Sequence, residues 1–442
     1  MGTEYHLNFN DRMEFRDRMN FFVFLVLFLT PFIYIPNPIN YSCLPKFIFL
    51  IFITAVISGV MFLKKDKESQ PGTWEDKLLL TYIILLIFST IFSYNLEYSL
   101  LGYSTRYEGL LAVLIYIFMF LLAYRNFRFD ERYFRIFVIG ATILSLYGAS
   151  QYFGFDPVPK TWARVVFKGR GHSTFGNPNF LGTYLTLLLP IAVYSYIKSG
   201  KWIYLLAAGS IYLSLITSFT RSGWLGSLVG VIVLLVYFLK LNYNKKYLAT
   251  IIGLFLIITV VMEIQSDGRV ITRMLSITED AERFLTQAEG YEDAGANRIF
   301  IWRRIIPMIK ERPFLGFGLE TLGVVFSERH MDEVVAEYGR GIIFDKAHNE
   351  YLHIAYSTGI PSLLIYLAFV WSIIGRAFKN VKDNHMIVPL IAAIIGYLVQ
   401  AFFNLSVVTV AYIYWIFLGI LLRISLYPDD VGLKITSPDG EI

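Results

Sequence analysis

His348, with Arg298, Arg303 and Arg304 upstream of it, forms a set suited to proton transfer on a substrate carrying a strong anion. Imidazole titrates near neutrality and can take a proton from a hydroxyl at physiological pH. Guanidinium stays charged and meets phosphate oxygens with a two-pronged donor geometry. Asn349 adjoins the histidine, and His353 lies five residues on, a spacing that puts the two rings on different helical faces and argues against a metal pair. A lone histidine is most often structural; the arginines are what favour a catalytic reading here.

Further arginines stand where a plain membrane loop does not need them. Arg221 sits in TRSGWLG between two apolar runs joined by only a few residues. It could snorkel to lipid headgroups, but Gly223 and Gly226 allow close helix approach and turn it inward, where an unpaired guanidinium calls for an anion. Arg170 opens GRGHSTFGNPNFLG, a glycine-bearing turn leading into the next apolar run, and fits either an anionic ligand or a headgroup contact. For Lys160, Arg164 and Lys168 the headgroup or acidic-partner reading is the stronger one. Arg298 stands at the start of an amphipathic helical stretch, where the helix dipole favours a phosphate.

The elements that must hold these residues are set by hydropathy. Of 442 residues 56% are hydrophobic and 17% aromatic, with a mean hydropathy of +0.55, so lipid is the solvent for most of the chain. Twelve apolar runs are long enough to be read as spans: Phe21 to Ile35, Phe47 to Leu63, Leu78 to Tyr94, Leu110 to Tyr124, Phe134 to Phe153, Phe180 to Ile197, Ile203 to Phe219, Trp224 to Leu239, Tyr247 to Ile264, Pro361 to Phe378, Ile387 to Phe403 and Val407 to Leu422. Each must close its own backbone hydrogen bonds as a helix. The first is read as a retained helix and not a signal peptide, because no small-residue cleavage site follows it. The single cysteine, Cys43, permits no internal disulfide and reads as a packing residue.

The formal charge of +5 is modest, but every second loop is basic. Lys and Arg gather at Arg12 to Arg18, Lys64 to Lys67, Arg125 to Arg135, Lys198 and Lys201, Lys240 to Lys246, and Arg376 to Lys382. The positive-inside rule then places both termini in the cytoplasm and the remaining loops outside. Three regions follow: 1–264, carrying nine spans and the outer loop 154–176; the long extracytoplasmic loop 265–346; and 347–442, with three spans and a cytoplasmic tail.

The long loop has helical signals of its own. Ser276 and Glu279 have the spacing of a capping box. Asn297 can cap a helix with Ile299, Trp302, Ile305, Ile306 and Ile309 on one face and Arg303, Arg304 and Lys310 on another, ended by Pro313, Gly316 and Gly318. Met331, Val334, Val335 and Tyr338 suggest a third. This loop reads as a small helical cap, too short for an independent catalytic domain. There is no P-loop, GxSxG, cysteine cluster or HExxH, and acidic residues inside the spans are nearly absent, which counts against an ion-coupled transporter.

With these motifs in place, the chain resembles the bacterial O-antigen ligase and O-antigen polymerase superfamily. The resemblance rests on YSTRYEGLL at Tyr103 to Leu111, GRGHSTFGNPNFLGTYL at Gly169 to Leu185, TRSGWLG at Thr220 to Gly226, NRIFIWRRIIPMIKERPFLGFG at Asn297 to Gly318 and HNEYLHIAYSTGIP at His348 to Pro361. It implies an all-α integral membrane protein of the C-type glycosyltransferase-like kind, with about twelve transmembrane helices and a small extracytoplasmic helical cap, in the bacterial inner membrane. It implies inverting transfer of a glycan from undecaprenyl diphosphate to an acceptor hydroxyl on a glycan, lipid A core or protein, with membrane lipids as surroundings and no metal, cofactor or nucleic acid. His348 corresponds to the family's proposed general base and Arg221 and Arg298 to the arginines on the diphosphate, with Arg170 as a further match; Asn349, beside the histidine, and Arg303 and Arg304, beside Arg298, are expected as further substrate contacts from their place in the sequence. Ligase chemistry leads. Polymerase and O-linked protein glycosyltransferase readings share the donor, and a lipid-linked oligosaccharide flippase is the non-enzyme alternative. A peptidoglycan polymerase of the shape-and-division type would use an acidic residue in place of the His348–Asn349 pair.

Overall fold

A computed structural model describes residues 9–35, 40–64, 72–158, 167, 169–241, 245–286, 292, 294–381, 384–405 and 407–428. Lys160, Arg164 and Lys168 lie outside them. The regular elements among the described residues are all helices: α1 (Phe9–Leu29), α2 (Cys43–Lys64), α3 (Trp74–Ile91), α4 (Leu96–Leu101), α5 (Leu110–Asn126), α6 (Glu131–Tyr152), α7 (Pro178–Ser199), α8 (Trp202–Thr217), α9 (Arg221–Lys240), α10 (Lys245–Gln265), α11 (Arg269–Thr286), α12 (Ala294–Glu311), α13 (Leu322–Tyr338), α14 (Glu350–Thr358), α15 (Ile360–Lys379), α16 (Ile387–Ala401) and α17 (Ala411–Leu426).

Each apolar run of the sequence overlaps one of these helices. Six of them, in α2, α6, α7, α9, α10 and α15, are long and apolar enough to cross a membrane. This is a multi-pass, all-helical membrane protein. The other six fall short of that condition for two physical reasons. Apolar α5, α8, α16 and α17 have only 15 to 17 residues, and at 1.5 Å per residue they reach less than the roughly 30 Å of a hydrocarbon core. Helices α1 and α3 open on charged turns, with Glu75 and Asp76 serving the start of α3, where Thr73 and Asp76 form a capping box.

Helix α7 is the buried axis of the bundle and is enclosed along all but its exposed C-terminal end at Lys198 and Ser199. Its ends are sharply defined by Asn177, whose side chain caps Asn179 N–H at 2.8 Å, by Pro178 in the first turn and by left-handed Gly200. Around it α9 packs on α16, and α5 on α17. Gly226 and Gly396 make the first of these contacts possible, since a Cβ on Gly226 would stand 2.5 Å from the Gly396 carbonyl oxygen.

Basic turns share one end of the bundle. Arg128 pairs with Asp17 at 2.9 Å, Lys201 with Glu131 at 3.3 Å, and Arg376 with buried Glu75 at 3.1 Å. The opposite end meets the α11–α14 segment. Tyr94 N–H donates to the Phe317 carbonyl at 2.7 Å, Ser89 to that of Ser357 at 2.9 Å, and Ile360 N–H to that of Pro313 at 2.7 Å. This segment has a hydrophobic core of its own, built on Phe300, Ile305, Phe317, Val325, Phe326 and Tyr356.

Candidate active site

Arg221 is the first residue of α9, immediately after a reversal in which Phe219 takes a left-handed φ of 49°. Its guanidinium reaches across to α11, where Nη1 donates to Asp280 at 2.6 Å, Ser276 Oγ at 2.9 Å and the Ser276 carbonyl at 3.2 Å. Ser276 is therefore mid-helix and not a cap. Helix α11 starts a full two turns earlier, where the Glu263 carboxylate accepts the Ile271 N–H at 2.9 Å and satisfies a donor of the first turn. One face of α11 carries Arg269, Arg273, Ser276 and Asp280 at helical spacing.

Arg170 is fixed from the other side. Its Nε donates to the Ser218 carbonyl at 2.8 Å and its Nη2 reaches the Phe219 carbonyl and Thr220 Oγ1, each at 3.4 Å. Burial, with the like charges of Arg273 and Arg269, pushes its pKa down to about 10. Arg269 lies 4.7 Å from the Phe219 ring centroid, and Gly169, at φ +65°, leaves room for its guanidinium where a Cβ would come within 3.3 Å.

Arg298 completes this group. Gly295 and Asn297 both have left-handed φ near 67°, so regular helix begins only after Asn297. The Arg298 Nη1 donates to the Gly295 carbonyl, while its buried Nε has no partner among the described residues. Burial, then Arg221, lowers its pKa to about 10. Arg273 is lowered by burial and by Arg221 and Arg269, with Asp280 opposing. Five guanidinium groups, Arg170, Arg221, Arg269, Arg273 and Arg298, thus repel one another around one carboxylate, Asp280. Apart from the Arg221–Asp280 pair, no ion pair joins any of the five to an acidic side chain among the described residues. Mutual repulsion of that kind is relieved by an anion.

His348 stands beside this group. It is half-buried, has a left-handed φ of 48°, and its Nδ1 is enclosed without a partner among the described residues. Two contacts hold the strained position. The indole of Trp302 on α12 donates to the Ala347 carbonyl at 2.8 Å, and Asn349 caps α14 by accepting the Leu352 N–H at 3.0 Å. Burial, followed by the charges of Arg298 and Arg106, lowers the imidazole pKa to about 4, so the ring is neutral at pH 7 and its lone pair is free. Behind it lie His353, whose Nε2 is 3.5 Å from Lys346 Nζ, and the buried Lys346–Glu320 ion pair. Burial also pushes Glu108 up and Lys346 down; the Tyr116 hydroxyl donates to Glu108 at 2.8 Å.

The sequence-predicted residues thus divide. His348, Arg298, Arg221 and Arg170 share one electrostatic neighbourhood. Asn349 adjoins it, with its side-chain oxygen engaged as a cap. Arg303 and Arg304 leave that face of α12: Arg303 pairs with Glu292, and Arg304 with Glu333 at 2.6 Å and Glu292 at 3.3 Å, above the Phe300 ring. Sequence reasoning missed Arg269, Arg273 and Arg106. The four-residue spacing of the first two on an amphipathic stretch was the available signal. Arg106 gave none, because its partner Asp345, at 3.2 Å, is distant in the chain.

Residues 203–367 match the family profile described as O-antigen ligase. The chain carries a domain of the O-antigen ligase and polymerase superfamily. That domain runs from α8 into α15 and includes Arg221, Arg269, Arg273, Arg298 and His348, whereas Arg106 and Arg170 lie before it. Its function is of the O-antigen ligase or polymerase type, an enzyme role in the membrane. No curated protein matches the chain.

Proposed function

We propose that this O-antigen ligase-family protein transfers a glycan from a polyprenyl diphosphate to an acceptor hydroxyl, with inversion, at the end of the bundle that carries His348. The observation that supports this most directly is the arginine group beside a neutral imidazole. A diphosphate is already a good leaving group, so the protein need only hold it, offset the charge that grows as it departs, and activate one hydroxyl. Arg298 and Arg221, with Arg170, Arg269 and Arg273, receive the diphosphate oxygens. His348 takes the acceptor proton as the new O–C1 bond forms, while the C1–O bond to the diphosphate breaks and its electron pair leaves with the phosphate oxygen. Guanidinium groups fixed in place before the substrate arrives supply the charge a metal would otherwise bring.

The positive-inside pattern supports an active site on the extracytoplasmic face of a bacterial inner membrane, with both termini cytoplasmic. Ligase transfer to a terminal acceptor such as lipid A core leads, and polymerase extension on the lipid carrier uses the same residues. The test is to incubate the purified protein in lipid nanodiscs, with EDTA present, with an undecaprenyl-diphosphate glycan and, separately, a lipid A core, a repeat-unit and a peptide acceptor. Product with one acceptor and released diphosphate is expected. Donor left intact in every incubation, despite binding to the protein, counts against transfer and in favour of a flippase.

A further inference from the structure

A cavity of about 420 Å³ opens beside the site, where the α4–α5 turn, the start of α2, the start of α7 and the Ile343–Asp345 stretch meet. Its volume falls in the roughly 300–1,000 Å³ range of small-molecule sites. Nothing in the diphosphate reading uses it. Tyr41, Tyr103 and Phe180 supply aromatic faces, and Asn177, Arg106 and Asp345 supply planar polar groups. That combination suits a saccharide: sugar C–H faces stack on rings, while carboxylate, amide and guanidinium groups bridge neighbouring hydroxyls in two-pronged fashion.

The walls are set before any ligand arrives. The Asn40 amide donates to the Ser104 and Thr105 carbonyls at 3.1 and 2.9 Å, which ties the α4–α5 turn to the start of α2. That turn closes through Gly102, φ +87°, where a Cβ would meet the Glu108 nitrogen at 2.5 Å. Gly176, φ +77°, does the same against Ser42, where a Cβ would stand 2.2 Å from the hydroxyl oxygen. Arg106 is held between Asp345, at 3.2 Å, and the Phe180 ring, at 5.5 Å, yet Arg106 and Asp345 keep 20% and 25% of their side chains exposed. A charged pair fixed by its neighbours and still accessible is poised for a polar ligand.

Position decides which sugar. Asp345, which pairs with Arg106 at 3.2 Å, lies three residues before His348 in the chain, so the cavity wall adjoins the segment that carries the base. In a displacement with inversion the incoming oxygen and the departing diphosphate lie on opposite sides of the anomeric carbon. The arginine group takes the leaving side. We propose that the cavity lined by Tyr103, Arg106 and Asp345 is the subsite for a saccharide acceptor, holding the sugar whose hydroxyl is presented to His348. This rests on the transfer reading above for the acceptor role, though not for saccharide binding itself.

The test uses the full chain in nanodiscs with two variants outside the catalytic group. Thr105→Trp fills the cavity from an exposed position, and Tyr103→Ala removes an aromatic face. The probe is the repeat-unit oligosaccharide released by mild acid from the source strain's surface polysaccharide. Wild-type protein is expected to show saturation-transfer NMR contacts to this oligosaccharide, undiminished by inorganic pyrophosphate. Each variant is expected to lower its affinity, and to raise its KM as acceptor, by at least about fivefold, with the donor KM unchanged. Two correctly folded variants that bind and use the oligosaccharide as wild type does would overturn the assignment, as would a change in donor KM alone or productive binding of a peptide acceptor only. If the wild-type protein binds the oligosaccharide without transferring to it from any lipid diphosphate, the transfer reading falls and the saccharide site stands.

Discussion

Arg221 Nη1 and Asp280 Oδ2 lie 2.6 Å apart, joining the first residue of α9 to α11 and placing a single carboxylate inside a group of five guanidinium groups. Asp280 holds the group together and also weakens its pull on an anion. Replacing it, as Asp280→Asn, removes one negative charge near the diphosphate position while keeping a polar partner for Arg221. One unit charge at contact distance in a well-solvated cleft is worth about 1 kcal/mol, or roughly fivefold in affinity. Inhibition by inorganic pyrophosphate is expected to tighten by about that factor in low salt and to converge with wild type as salt screens the site. Weaker inhibition at low salt would show that Asp280 serves the donor directly.

Arg298 has its guanidinium Nη1 on the Gly295 carbonyl and its Nε buried without a partner among the described residues. An unpaired buried donor of this kind fits an oxygen delivered by the substrate. Arg298→Ala is expected to reduce transfer by roughly 10²–10³-fold, the size of losing one donor to a developing oxyanion. Arg298→Lys should recover little of it, because an ammonium lacks the two-pronged geometry. Initial rates at saturating donor, beside thermal midpoints showing an intact fold, check this.

Much of this arrangement was legible in the sequence because hydropathy and charge act locally. Apolar runs of the right length had to become helices, and His348, Arg221 and Arg298 stood out as polar residues where lipid-adjacent segments have little use for them. What was not legible depended on tertiary contact. Ser276 and Glu279 have capping-box spacing, yet α11 begins at Arg269 because Glu263, outside the helix, satisfies its first turn. Arg303 and Arg304 were indistinguishable from Arg298 by residue type. Only the irregular entry into α12 and the positions of Glu292 and Glu333 separate them. The Lys346–Glu320 and Arg106–Asp345 pairs join residues far apart in the chain and could not be read at all.

The depressed imidazole of His348 sets a pH signature. In the free protein its pKa lies at about 4, below the ordinary 6.5, so the neutral ring persists as pH falls and the acid limb of kcat/KM for a saturating acceptor should lie near pH 4. A bound diphosphate offsets the field of Arg298, one of the causes of that depression, and therefore raises the pKa. The acid limb of kcat should then lie at higher pH than that of kcat/KM. His348→Ala is expected to cost roughly 10²–10⁴-fold in kcat with donor binding retained, and its residual rate should lose this limb. Coincident acid limbs in the two profiles would remove the diphosphate from the vicinity of the ring.

Lys346 and Glu320 form an ion pair closed off from solvent, beside Glu108 and His353. Removing one member leaves the other charge buried without its counter-ion, which typically costs about 3–5 kcal/mol, whereas replacing both removes the stranded charge. Lys346→Met alone also leaves Glu108 without the cation that lowers its pKa, so burial drives that carboxyl further up and into its protonated form. The sign follows: in Lys346→Met, stability should improve as pH falls through the raised Glu108 pKa, since protonation discharges the buried acid. Thermal unfolding in detergent should therefore show Lys346→Met strongly destabilised at pH 8 and less so at pH 5. The double variant Lys346→Met with Glu320→Gln should unfold closer to wild type than either single variant. Equal destabilisation of the single and double variants would mean that packing, and not charge, governs this region.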